Sequence, residues 1–262
     1  MEYVHLIVER EGPVAVLTIN RPEALNALNS KVLEELAHFV DAAAKDMALR
    51  VVIMTGAGPK SFIAGADIAE MSGLTPVENR HFAGLGAGML RKMEHMHVVW
   101  IAAINGFAFG GGLETAMACD IRYMADTGKP MIGLTEVSLG IMPAFGGTQR
   151  LPRLIGPGKA RELIYTAARL DAQEALRIGL VQAIFPPDKL MAGAKELAAK
   201  ICANAPLAVA YSKAAIDRGL QTDYDRGQAQ EIDAASILFS TEDKREGLTA
   251  FVEKRKPTYK GK

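Results

Sequence analysis

The run Phe109-Gly110-Gly111-Gly112-Leu113-Glu114 constrains the fold more than any other stretch of the chain. Upstream, residues 101–104 are apolar and β-rich; downstream, residues 116–119 are small enough for a closely packed helix. The glycines therefore mark a strand-to-helix junction. The first amides of a helix have no intrahelical acceptor, and glycine lets another group approach them closely. Two readings follow: a backbone cradle for an oxyanion or phosphate, or tight packing against a neighbouring strand. Glu114, a lone acid at the head of an apolar stretch, belongs to the same junction.

Elsewhere the chain alternates between helical and strand periodicity. Residues 4–8 and 14–19 are β-rich runs joined by Glu11-Gly12-Pro13, a hairpin signal. Ser30 reads as the cap of a helix extending to Lys45, with Val32, Leu33, Leu36, Phe39 and Val40 at helical spacing. Residues 50–55 (RVVIMT) form a buried strand that runs into the loop Gly56-Ala57-Gly58-Pro59. A helix over 76–95, a strand over 98–104, and strands near 121–123 and 131–134 continue the pattern, which predicts an α/β fold. Beyond Pro186 the segments 187–203, 206–219, 225–239 and 243–255 are all helical in character. Residues 1–200 are accordingly expected to form the core, and 201–262 a helical region.

A chain of 262 residues buries about three quarters of its unfolded surface, so one large core needs no staple. Its 30 basic and 30 acidic side chains leave no global field to attract nucleic acid or an anionic membrane. Cys119 and Cys202 make neither a disulfide framework nor a zinc spacing and read as reduced thiols of a cytoplasmic protein. The first residues, MEYVHLIVEREG, lack the character of an export or transit signal, and no apolar run reaches membrane-spanning length.

A second backbone cradle is expected at FIAGADIAE (62–70), where small residues follow a strand and Asp67 enters the first turn of a helix. Phosphate motifs fit poorly: Pro59 stands where a Walker loop needs glycine, and no G-x-G-x-x-G occurs. Glu114 and Glu136 each end a buried element. Either acid alone reads equally as a capping or salt-bridging group; the two together, beside an oxyanion cradle, suit paired acid and base work. His95 and His97 lack a third ligand nearby, so no metal site is expected. The absence of a Gly-x-Ser-x-Gly elbow and of a partner for either cysteine disfavours covalent catalysis. Lys254-Arg255-Lys256 is either a phosphate contact or a solvated helix face.

These residues together resemble the enoyl-CoA hydratase/isomerase (crotonase) superfamily, most closely its short-chain enoyl-CoA hydratases. The matching stretches are NRPEALNAL (20–28), FIAGADIAE (62–70), IAAINGFAFGGGLETAMACDIR (101–122), GIMPAFGGTQRLPRLIG (140–156), EALRIGLV (174–181) and FSTEDKREGLTAFVEKRK (239–256). The resemblance implies a crotonase (ClpP-like) spiral of ββα units with a helical C-terminal region that forms homotrimers, usually paired into homohexamers. It implies an acyl-CoA thioester substrate, with coenzyme A as part of the substrate and no separate metal or redox cofactor.

By position, the amides of Ala66 and Gly111 match the family's oxyanion hole, which polarises the thioester carbonyl. Lys60, Ala64, Asp67 and Ile68, together with Ala66 and Gly111, match positions along the CoA path. Glu114 matches the acid that activates water for attack on C3, and Glu136 the acid that delivers a proton to C2. Three departures bear on the acyl pocket: Leu134-Thr135 replaces a common Gln-Pro, Leu113 a common cysteine, and Ala144 a glycine. They leave chain length and acyl shape open, including a branched or cyclic enoyl group. An enoyl-CoA isomerase and a noncatalytic CoA- or RNA-binding protein are the competing readings.

Overall fold

The computed structural model describes residues 2–262. Strands β1 (Leu6–Glu11) and β2 (Val14–Ile19) form an antiparallel hairpin in which Leu6 faces Ile19 and Glu11 faces Val14. The first strand starts two residues later than its β-rich run suggests, because pairing with β2 begins only at Leu6. Helix α1 (Ser30–Ala43) follows, and all five of its expected apolar positions are buried. Its cap is Asn29 rather than Ser30: the Asn29 side chain accepts the Val32 amide at 2.9 Å, while Ser30 Oγ contacts the Glu70 carboxylate.

From here the chain repeats one unit. Strand β3 (Val51–Gly56) is followed by the short β4 (Ser61–Ile63), α2 (Ile68–Met71) and α3 (Pro76–His95). Strand β5 (Val99–Ile104) is followed by β6 (Phe107–Phe109) and α4 (Gly111–Ala118). Strand β7 (Ile121–Ala125) is followed by β8 (Ile132–Gly133), a 3-10 turn at Glu136–Leu139, α5 (Gly147–Ile155), α6 (Pro157–Tyr165) and α7 (Ala172–Arg177). The long strands join a six-stranded sheet in the order β1-β2-β3-β5-β7-β9, with β9 at Ala183–Phe185, parallel throughout except for the hairpin. The short strands β4-β6-β8 build a second, parallel sheet. Each unit therefore passes from one sheet to the other and returns through helices, which is the ββα spiral.

The passage between sheets is tight, and the sequence at the corners answers it. A Cβ on Gly106 would lie 2.3 Å from the Lys60 carbonyl oxygen, so only glycine fits between β5 and β6. Next to it, Asn105 accepts the Gly56 amide at 3.1 Å and donates to the Gly56 and Gly58 carbonyls at 2.9 and 2.8 Å. One side chain thus ties two successive corners together.

The central strands are buried on both faces, as expected of parallel strands covered by helices. Val52, Met54, Trp100 and Ala102 point into the main core with α1, α3 and α4, where Phe39 meets Trp100 edge-on at 6.1 Å. Val51, Ile53, Val99 and Ile101 point the other way, onto Leu190, Ala194 and Ala198 of α8 (Leu190–Cys202). Helices α9 (Pro206–Gly219), α10 (Tyr224–Leu238) and α11 (Glu242–Val252) complete the chain. A buried lysine anchors this region: Lys213 Nζ donates to the carbonyls of Met93 and Val98 and to Asp120, at 3.0, 2.8 and 2.9 Å.

Candidate active site

The site is built where the two sheets and α4 meet. Helix α4 abuts β4 so closely that a Cβ on Gly112 would lie 1.9 Å from the Ile63 carbonyl oxygen. Gly110, at φ +48°, turns the chain from β6 into α4 and is held by donation of its amide to the Gly133 carbonyl at 2.9 Å. The two readings of the glycine run fall on different residues. Gly112 is required for packing, while Gly111 is the first residue of the helix, and its N–H donates to no acceptor among the described residues.

The facing turn, residues 64–67, is stitched to residues 25–28. Ala64 donates to the Leu25 carbonyl (3.1 Å), Leu28 to that of Gly65 (2.8 Å) and Asp67 to that of Leu28 (2.8 Å). These bonds fix the turn and leave the amide of Ala66, like that of Gly111, without an acceptor among the described residues. Ala66 and Gly111 line the same cavity of about 130 Å³.

Two carboxyl groups reach that cavity. Glu114, in the first turn of α4, is 2% exposed, and its Oε1 accepts the Phe145 amide at 2.8 Å and the Gly147 amide at 2.6 Å. Burial raises its pKa above the ordinary carboxylate range, and the two amides together with the Arg150 charge pull it back. Glu136 opens the 3-10 turn after β8, and its Oε2 is buried with no partner among the described residues. Burial, reinforced by the negative charge of Glu114, pushes its pKa up to about 7. The two acids flank Gly110: the Gly110 carbonyl accepts the Glu114 amide at 2.9 Å, and a Cβ on Gly110 would lie 3.0 Å from Glu136 Oε1.

The rest of the cavity is mostly apolar, with Met71, Phe82, Leu139, Ile141, Met142 and Phe145 among its walls and Asn79 and Thr135 as its uncharged polar side chains. The rings of Phe82 and Phe145 pack at 5.6 Å. Of the residues expected from the sequence, Ala64, Ala66, Ile68, Gly111, Glu114 and Glu136 come together around this cavity, whereas Lys60 and Asp67 are not part of its wall. Lys60 is exposed beside the β3–β4 corner. The Asp67 side chain caps α2 by accepting the amides of Ala69 and Glu70, and it pairs with Arg21 at 2.6 Å.

Sequence reasoning missed the loop at 145–147 as the support of Glu114, and it missed Phe82 and Met71 as walls. Phe82 and Met71 sit on helices remote in sequence from the glycine run, with nothing local to mark them. The other candidates resolve plainly. His95 ends α3, His97 contacts the Asp46 carbonyl oxygen, and no cluster of potential metal ligands occurs among the described residues. Arg255 of the basic cluster is paired with Glu246 and Glu253. Cys119 is buried, and burial pushes its thiol up to about 12.

The profile of the enoyl-CoA hydratase/isomerase family matches residues 9–262. The chain belongs to that family. Among its relatives, the short-chain-enoyl-CoA hydratase of Clostridium acetobutylicum is 52% identical over 98% of this chain and 97% of its own length. The crotonyl-CoA hydratase of Syntrophomonas wolfei is 50% identical over 99% of each chain. The crystal structure of an enoyl-CoA hydratase from Bacillus anthracis superposes with a TM-score of 0.95 at 43% identity, covering 99% of this chain and 100% of the other. The spiral and its two sheets are thus the crotonase fold of enoyl-CoA hydratases. No helix is long and apolar enough to cross a membrane among the described residues.

Proposed function

We propose that this chain is an enoyl-CoA hydratase, a hydro-lyase that reversibly adds water to a trans-2-enoyl-CoA and gives a 3-hydroxyacyl-CoA. The observation that carries the reading is the placement of two unlike carboxyl groups beside two unpaired amides on one cavity. The amides of Ala66 and Gly111 receive the thioester oxygen, so that negative charge developing there is stabilised by fixed donors rather than by water. Glu114, held by two amides and facing Arg150, serves as the ionised base. It takes a proton from water while the water oxygen bonds to C3. The double-bond electrons move to the thioester oxygen as an enolate, and Glu136, whose unpaired Oε2 favours the protonated form, delivers its proton to C2. Proton exchange with solvent restores both acids, and the net change is the addition of water. Both hydrogen and oxygen come from the one wall carrying the two acids, so the addition is syn.

The chemistry asks for no metal or redox group, because the oxyanion donors supply the polarisation and the acids move the protons. The acyl end lies among Met71, Phe82, Leu139, Ile141, Met142 and Phe145, and no lysine, arginine or histidine is in that wall. An uncharged, short enoyl group fits this lining better than one bearing a second carboxylate, which would be buried without a cationic partner. The helical region from residue 201 onward serves oligomerisation, as a homotrimer or a pair of trimers. Exposed apolar side chains on its helices, including Ile216, Leu220, Ile232, Phe251 and Val252, support this role. The test is a panel of straight, branched, cyclic and carboxylated enoyl-CoAs followed by loss of the conjugated absorbance. Crotonyl-CoA is expected to be consumed fastest; a protein that leaves the whole panel unchanged is not a hydratase.

A further inference from the structure

The loop that holds Glu114 is itself held by an ion pair whose two residues lie behind the cavity wall. Arg150, on α5, donates from Nε and Nη2 to the two carboxylate oxygens of Glu94 at 2.6 and 2.8 Å, and Glu94 lies at the end of α3. The third contact of the same guanidinium is Nη1 to the Phe145 carbonyl oxygen at 2.6 Å. That carbonyl belongs to the peptide between Phe145 and Gly146. On either side of this peptide stand the two amides, of Phe145 and Gly147, that grip Glu114 Oε1. Gly146 adopts φ +109°, and a Cβ there would lie 2.2 Å from Arg150 Nη1, so the loop is shaped around the guanidinium. The Arg150 side chain is mostly buried, at 14% exposure, and the planar fork is geometrically matched to a carboxylate on one edge and a carbonyl on the other.

We infer that Arg150, clamped by Glu94, is a positioning residue for Glu114: it fixes the Phe145–Gly146 peptide and thereby both amide donors to the base. The inference rests on the hydratase reading, in which Glu114 is the base. The guanidinium touches neither the cavity nor a reacting atom; it acts through three bonded links, Glu94 to Arg150, Arg150 to the 145–146 peptide, and the flanking amides to Glu114. A surface ion pair would contribute little here, but a bidentate, largely buried one with a third bond holds a single geometry. The charged groups facing Glu114 are Arg150 from α5 and Glu136 from the turn after β8, with Glu94 behind Arg150. Loss of Arg150 therefore removes a cation that favours ionised Glu114 and also frees the loop.

The experiment compares wild type, Arg150→Gln, Arg150→Lys and Glu94→Gln on crotonyl-CoA, with kcat, KM, the pH profile and the melting temperature recorded for each. Wild-type turnover comes first: its absence defeats the hydratase reading, not the clamp. Given turnover, Arg150→Gln is expected to lower kcat by about 100-fold, the cost of a catalytic group displaced by an ångström, with KM within about threefold of wild type. The acid limb of its kcat profile moves to higher pH. Arg150→Lys restores the position of that limb through its charge but not kcat, because an ammonium cannot bridge carboxylate and carbonyl in one plane. Glu94→Gln, which keeps the shape and leaves Arg150 in place, lowers kcat by about tenfold and serves if the Arg150 variants do not fold. Wild-type kcat with an unshifted acid limb in Arg150→Gln, or in Glu94→Gln an activity loss no larger than the loss of folded protein, would overturn the assignment.

Discussion

The amide of Gly147 donates to Glu114 Oε1 at 2.6 Å, and a Cβ on Gly147 would approach that same oxygen to 2.9 Å. The first residue of α5 therefore both bonds the acid and leaves room for it. Glu114 is almost wholly desolvated, and this bond, its twin from Phe145 and the Arg150 charge all favour its ionised form. Glu136 has only its own backbone amide to favour the charge and an Oε2 without a partner among the described residues, and burial raises its proton affinity. Different environments divide the work between two chemically identical side chains.

Replacing either acid by its amide separates chemistry from binding. Glu114→Gln and Glu136→Gln should each lower kcat by about 10²- to 10⁴-fold, the usual contribution of a positioned acid or base. Thioester binding, measured by calorimetry with a slowly hydrated enoyl-CoA, should stay close to wild type, since the Ala66 and Gly111 amides remain. Near-normal turnover in either variant removes that residue from the reaction.

The pH dependence follows from the same division. Glu136 must be protonated to act and has a pKa of about 7, so kcat/KM is expected to fall as pH rises through about 7. Glu114 must be ionised, which makes the rate fall on the acid side as well. In the variant Glu136→Gln the residual rate should lose the alkaline limb. An alkaline limb that persists unchanged there belongs to another group.

Stability carries a signature of the same sign. The folded pKa of Glu136 is raised above its ordinary value of 4.5 to about 7, so the folded state binds more protons than the unfolded chain between those limits. Wild-type stability should decline as pH rises through that window, by linkage. Glu136→Gln avoids burying the charge and should melt higher than wild type at pH well above 7, with the difference vanishing below the unfolded carboxylate value. Thermal melts across pH test this; a variant less stable than wild type at every pH contradicts it.

The glycine run has two separable duties. Gly112→Ala should destabilise by about 1–3 kcal/mol, the range for overpacking, because its Cβ would meet the Ile63 carbonyl oxygen at 1.9 Å. Gly110→Ala strains a positive φ and presses on Glu136 Oε1, so it should cost more in turnover than in melting temperature. Equal effects on stability and rate in both variants would contradict the separation.

Lys213 tests how the helical region is attached. Its ammonium satisfies two carbonyls and Asp120 in a site that admits little water. Lys213→Met should destabilise by about 3–5 kcal/mol, since it leaves a carboxylate without its buried partner, and Lys213→Met with Asp120→Asn should recover part of that loss. Denaturant unfolding measures both. A double variant no more stable than the single would show that the carboxylate is not the source.

The long elements were legible because their periodicity is long. The helix at 76–95 and the helices after residue 186 match at both ends to within a few residues. The three-residue strands β4, β6 and β9 were not, since three residues show no alternation and the second sheet exists only through pairing between remote segments. Helices α5 to α7 were also missed; α5 contains Pro152 and starts after glycines, which read locally as loop. Glu114 and Glu136 could be singled out by composition, as acids ending apolar runs. The bonds that set their different proton affinities come from Phe145, Gly147 and Arg150, and no spacing in the sequence marks these as neighbours of Glu114.

The most direct measurement is the stereochemistry of hydration in heavy water. Crotonyl-CoA is converted by the protein in D2O, and the relative configuration of deuterium at C2 and hydroxyl at C3 is read from proton coupling in the product. Delivery of both from the wall that carries Glu114 and Glu136 requires them on the same face. Deuterium and hydroxyl on opposite faces would contradict a single pair of carboxyl groups acting together.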